Sequence, residues 1–144
     1  MTKSKRFKPI VKVAQSRENA AARVLGESRQ TLSAQEVRLA DLKSYRDEYV
    51  ESFNQAGGKG MSIEHMRNYR TFLESLDKAI AQQEIIVNTA VDDVDKEKSN
   101  WMDKSSRRKV LDKVVDKFLG MEQRSLEKSE QRELDDRAHK PLQK

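Results

Sequence analysis

The side chains of this chain that could carry chemistry are few and poorly placed for it. Its 144 residues include two histidines, His65 and His139, and no cysteine. Thiolate nucleophiles, disulfides and Cys/His metal sets are therefore excluded. The two histidines fall near opposite ends of one predicted helix and cannot cooperate within one chain. Asp92-Asp93-Val94-Asp95 gathers carboxylates but lacks the loop glycine and the ligand spacing of an EF-hand, so it reads as a solvated helix face. Gly57-Gly58-Lys59-Gly60 lacks the spacing of a Walker A loop and follows no strand, so it reads as a turn. With no nucleophile–base pair and no ligand set, the expectation is a non-enzyme without catalytic residues, cofactor or metal.

What remains is the chemistry of docking. Arg38, Leu42, Tyr45 and Tyr49 recur at i, i+4, i+7 and i+11, and Tyr69, Phe72, Leu76, Ala79 and Gln83 repeat that kind of spacing further on. Clustered Tyr and Phe supply the large, rigid area on which protein interfaces concentrate their energy. In such a patch Leu42 and Leu76 are half core and half surface; the competing reading is that all of these residues serve a helix–helix seam, and the spacing alone leaves both open. Nucleic acid is not expected as a partner: Arg107-Arg108-Lys109 is basic, but no aromatic platform accompanies it. The net charge of +5 resides in residues 1–12, where Lys3, Lys5, Arg6, Lys8 and Lys12 meet no acid; the remainder holds 24 basic and 24 acidic residues. Such an arm either touches an anionic surface or frays in solvent. No run approaches the ~18 apolar residues of a membrane span, and no apolar h-region follows the basic start. A soluble, cytoplasmic chain with no transmembrane segment is expected.

These residues must be positioned by helices. Charged residues make up 37% and apolar ones 35%, too little apolar volume for an ordinary globule of this length but enough for a narrow shared seam. Helix one is predicted from about Pro9 to Phe53, with Pro9 in its first turn, where a missing N–H costs nothing. Ala14, Ala21, Leu25, Leu32, Leu39, Leu42, Tyr49 and Phe53 form its stripe, interrupted by Ser28, Gln35 and Arg46. A glycine turn occupies 54–61. Helix two is predicted over about 62–138, capped by Ser62, with Glu64 facing its positive end and Pro141 beyond its close. Met66, Leu73, Ile80, Val87, Val94 and Trp101 recur at strict sevens, Val115 resumes the register, and Leu76, Ala90, Leu111 and Phe118 fill the companion positions. A sustained period of 3.5 is the signature of a coiled coil. The fold class expected is all-α: one domain over residues 1–144, a long antiparallel two-helix coiled coil (an α-hairpin) with flexible termini, helix two longer and overhanging. At 1.5 Å per residue the helices span roughly 65–70 Å and 110 Å.

Several stretches resemble the flagellar FliJ family, the small coiled-coil component of the bacterial type III flagellar export apparatus. Ala20-Ala-Ala-Arg-Val-Leu-Gly-Glu-Ser-Arg and Leu39-Ala-Asp-Leu-Lys-Ser-Tyr-Arg-Asp-Glu-Tyr look like its first helix. Asn68-Tyr-Arg-Thr-Phe-Leu-Glu-Ser-Leu-Asp-Lys-Ala-Ile-Ala-Gln-Gln, directly after the glycine turn, is similar to its most recognisable segment; Trp101 and Asp135-Asp136-Arg137-Ala138 match more weakly. The resemblance implies a stalk like that of rotary ATPases, with a part in flagellum biogenesis, motility and chemotaxis. It implies three partners: the hexameric export ATPase ring, entered by the terminal ends; the cytoplasmic domain of the membrane export gate; and empty export chaperones. It places the protein in the cytoplasm, peripheral at the inner membrane's cytoplasmic face. By matching position, the gate-facing residues would be Arg38, Leu42, Tyr45, Tyr49, Phe72, Leu76, Ala79 and Gln83, with Phe72 and Leu76 at the centre. The alternative is a cytoplasmic type III secretion chaperone, or the equivalent stalk of a virulence secretion system. A plain structural spacer would leave no aromatic patch exposed.

Overall fold

A computed structural model describes residues 2–57 and 60–139 of the chain. Gly58 and Lys59 of the predicted turn, and Pro141, lie outside the described residues. Two helices account for nearly everything described: α1, Lys3–Ala56, of 54 residues, and α2, Ile63–Ala138, of 76. No strand occurs among the described residues. The fold is an all-α helical hairpin with the longer helix second, as the heptads predict. It divides into two compact units, Ala22–Ser99 and the pairing of Met1–Ala21 with Asn100–Lys144.

Within Ala22–Ser99 the pairs Gln35–Gln83, Arg46–Asp77 and Phe53–Tyr69 rise along α1 as they fall along α2, so the helices run antiparallel. A stripe of residues withdrawn from solvent follows alternate steps of three and four: Leu25, Ser28, Leu32, Gln35, Leu39, Leu42, Arg46, Tyr49 and Phe53 on α1, answered by Tyr69, Leu73, Leu76, Ile80, Gln83, Val87, Ala90 and Val94 on α2, with Val50, Ala79 and Glu97 half-buried beside it. Met66, expected in the stripe, is exposed, so the seam begins at Tyr69. The next seam position of α1 is its last residue, Ala56, which carries too little side chain to cover it.

The three polar interruptions of the α1 stripe each have a partner, as buried polar atoms require. Gln83 Nε2 donates to the Gln35 carbonyl at 3.0 Å and to its Oε1 at 2.7 Å. Arg46 donates to Asp77, and Ser28 Oγ donates to the Leu25 carbonyl at 2.8 Å. A one-layer slip would leave Gln83 without these acceptors in an apolar layer. Such pairs thus penalise wrong registers more than they add stability.

In the unit that carries both ends, α1 starts six residues before Pro9 instead of at it. Proline in a helix interior costs about 3 kcal/mol, so the first two turns must be held by something else. Lys5 N donates to the Thr2 hydroxyl at 3.4 Å, placing Thr2 at the helix cap. Ser4 donates twice to the Glu122 carboxylate, from its backbone N at 3.1 Å and from Oγ at 2.7 Å, setting an anion on the positive end of α1. Phe7 packs on Phe118 with ring centroids 5.2 Å apart, and Lys3 Nζ lies 5.6 Å from the Phe118 centroid. The basic arm of the sequence reading is thus the clasped beginning of the helix. Beyond Glu122, every residue from Gln123 to His139 is exposed.

Glu18 and Arg108 sit in the seam of the same unit. Arg108 Nε donates to both Glu18 oxygens at 2.9 Å, and its Nη1 reaches Asp112 at 2.6 Å. The Glu18 side chain is only 14% exposed, and the Arg108 hydrogen bond holds its carboxyl below the usual carboxylate range against the opposing pull of desolvation. A depressed folded-state pKa means a stabilising contribution present in full above the unfolded value, ~4.3, and lost as pH falls through the folded one. Acid titration of thermal stability is therefore expected to show a downward step below about pH 4 that is absent in Glu18→Gln. An identical acid profile for that variant would contradict the assignment.

Candidate protein-docking site

The turn that sets the site is built from two glycines with distinct reasons. Gly57 N donates to the Phe53 carbonyl at 2.7 Å, and a Cβ on Gly57 would stand 2.8 Å from that same oxygen. Gly60 has φ of 64°, the left-handed region that side chains disfavour. Ser62 then caps α2 as predicted: its Oγ accepts from His65 N at 3.2 Å and its carbonyl from Met66 N at 3.1 Å. Glu64 occupies the first turn.

This reversal brings the aromatic residues of the two helices into one ladder. Phe53 stacks on Tyr69 with centroids 3.6 Å apart, Tyr49 stacks on Tyr69 at 5.3 Å and tilts against Phe72 at 4.6 Å, and Tyr45 meets Phe72 edge-on at 6.2 Å. Tyr49, Phe53 and Tyr69 are half-buried and serve the seam. Tyr45 and Phe72 stay on the flank, 50% and 38% exposed. Aromatic pairs are worth about 0.5–1.5 kcal/mol each beyond area burial, so the ladder fixes where those two exposed rings stand.

The expected site residues divide accordingly. Arg38, Tyr45 and Phe72 are exposed, and Leu42, Tyr49 and Ala79 are half-buried beside them. Leu76 and Gln83 are seam residues instead, 7% and 5% exposed. Their physical roles are clear: Leu76 fills an apolar layer and Gln83 ties α2 to Gln35. Any contribution they make to a partner surface is through what they hold in place. Phe53, expected in the stripe of helix one, and Tyr69, expected in the docking spacing of helix two, complete the ladder, and both are half-buried in the seam. The flank is close to neutral. Asp77 beside Arg46 holds its guanidinium more firmly protonated, and Lys43 pairs with Glu84 at 3.7 Å.

Among the described residues no group of three or more His, Cys, Asp or Glu is arranged to hold a metal ion, and no helix is long and apolar enough to cross a membrane. The arrangement suits recognition by another protein. The family model of the flagellar FliJ protein matches residues 3–142. The chain is similar to the flagellar FliJ protein of Salmonella typhi, 27% identical over 128 residues that cover 89% of this chain and 87% of that one. It is also similar to the flagellar FliJ protein of Escherichia coli K12, 33% identical over 87 residues covering 60% and 59%. A match over nearly the whole chain, on a helical hairpin with an aromatic ladder at its turn, places this protein in the flagellar FliJ family.

Proposed function

We propose that the chain is a non-enzymatic component of flagellar type III protein export, a stalk-like coiled coil that joins an export ATPase ring to the export gate. The flank of Tyr45 and Phe72 docks the cytoplasmic domain of the gate. The unit carrying both termini enters the ATPase ring, and empty export chaperones are escorted by the same protein. It acts in the cytoplasm, at the inner face of the membrane. The observation that carries the gate contact is the pair of large aromatic rings left exposed, in fixed positions, on a chain whose other aromatic rings are half-buried. A solvent-facing spacer gains nothing from such a pair, whereas a partner gains hot-spot area. Support for the ring contact comes from Gln123–Ala138, a helical stretch exposed all round. A helix without an apolar stripe is held weakly on its own, and a partner that grips it must offset an ordering cost of roughly 1–2 kcal/mol per residue.

The test mixes the purified chain with the flagellar export ATPase and follows ring formation by electron microscopy together with ATP hydrolysis. More rings and faster hydrolysis are expected. No stimulation, accompanied by tight binding of an unfolded export substrate, would favour the secretion-chaperone reading instead.

A further inference from the structure

The unit that carries both ends has a groove that its own seam does not use. It lies between α1 and α2, holds about 260 Å³, and is floored by Pro9, Ile10, Val13 and Leu111. Ile10 and Val13 are 46% and 50% exposed, although they stand where helix–helix packing would bury them if a third helix were present. Ala14, Arg17 and Arg107 complete the lining, which contains no carboxylate. Arg17 follows Val13 by four residues and Arg107 precedes Leu111 by four; with the helices antiparallel, both guanidinium groups stand at the same end of the groove. Neighbouring Arg108 is engaged by Glu18 and Asp112, whereas among the described residues neither Arg17 nor Arg107 forms an ion pair. An apolar cleft with room for more than one aliphatic side chain, whose two lining arginines form no ion pair among the described residues, has a definite complement.

We infer that this groove receives an acidic amphipathic helix of a partner protein, one large aliphatic side chain seated on Ile10, Val13 and Leu111 and a carboxylate one turn further on held between Arg17 and Arg107. The shape favours a helix, because the furrow between two antiparallel helices is filled by the ridge of a third. The charge favours a carboxylate, which the guanidinium fork binds through paired hydrogen bonds. A nucleic acid would present a row of phosphates to an apolar floor and leave it uncovered. The inference rests on the assignment of this unit to the ATPase ring, and it names the chemistry the ring must offer there.

The experiment titrates the full chain with two labelled, helix-forming peptides, identical except that one carries Glu and the other Lys one turn after a central Leu, and reads fluorescence anisotropy at low and physiological salt. The Glu peptide is expected to bind, more weakly as salt rises, and the Lys peptide to bind at least about tenfold less well. Arg17→Glu with Arg107→Glu should reverse that preference, and Val13→Ser should weaken the Glu peptide without changing its salt dependence. If the charge reversals lower the helical melting point, Arg17→Gln with Arg107→Gln replaces them and should bring the two peptides to equal affinity. Equal binding of both peptides by the wild-type chain, or unchanged preference in the arginine variants, overturns the assignment. Stimulation of the ATPase by the wild-type chain is measured on the same preparation, so a failure of the ring contact shows there and a failure of the groove shows in the peptides.

Discussion

Leu76→Ala is expected to destabilise the helix pair around the turn by about 2–3 kcal/mol, read as a lower midpoint in urea unfolding followed by circular dichroism. Leu76 is 7% exposed and occupies the layer between the aromatic ladder and the Gln35–Gln83 pair. Truncation removes its apolar transfer energy and leaves a gap that neighbours fill only in part. The estimate lies at the low end of the leucine-to-alanine range because a two-helix seam has only one facing surface and can close inward more easily than a globular core. Gate binding should weaken too, in proportion to the loss of folded helix, and should return when an osmolyte restores the helix. An unfolding midpoint equal to wild type would mean that Leu76 is not in the seam and is available to a partner directly.

The division of roles at Leu76 marks the point where the sequence stops being legible. Heptads identify the seam well: Leu25, Leu39, Leu73, Val87 and Val94 are withdrawn from solvent where the period of 3.5 puts them. The reversal is equally plain, because three glycines in four residues have no other use in such a chain, and Ser62 follows as a cap. The spacing of Leu42, Tyr45, Tyr49, Phe72 and Leu76 does not say which of two adjacent faces each residue takes. In a coiled coil the seam and its flank are about one residue apart in rotation, so Tyr45 emerges and Leu76 enters although both satisfy the same i, i+4, i+7 pattern. Polar seam positions are opaque for a related reason. Gln35 and Arg46 read as interruptions until their partners Gln83 and Asp77 are seen opposite them, 48 and 31 residues away. The early start of α1 was hidden by Pro9, whose local preference for a first turn is overridden by contacts to Phe118 and Glu122 more than a hundred residues further on. Phe7 and Val11 continue the three-four steps of the seam back toward that start, and reading them as stripe instead of arm would have found it.

Removing both exposed rings, Tyr45→Ala with Phe72→Ala, is expected to weaken binding of the export gate's cytoplasmic domain by about 30- to 100-fold while helix content stays near wild type. Two truncations at the hot-spot threshold of about 2 kcal/mol each would exceed that if they added. They share a contact at 6.2 Å and should fall short of additivity. The structural cost is small by comparison, because Tyr45 is half exposed and the stacks of Tyr49 and Phe53 on Tyr69 persist without it. Phe72 does touch Tyr49 at 4.6 Å, so its single variant should lose some stability, and the single Tyr45 variant almost none. Tyr45→Phe separates ring from hydroxyl: it should keep most of the affinity if area drives binding and lose it if the phenol donates a hydrogen bond. Titration calorimetry with the isolated gate domain, with far-ultraviolet dichroism on each variant, gives both readings. Unchanged gate affinity in a double variant that remains helical would remove the flank from the docking site. The gate contact would then have to lie elsewhere on the chain, since no other pair of exposed aromatic rings occurs among the described residues.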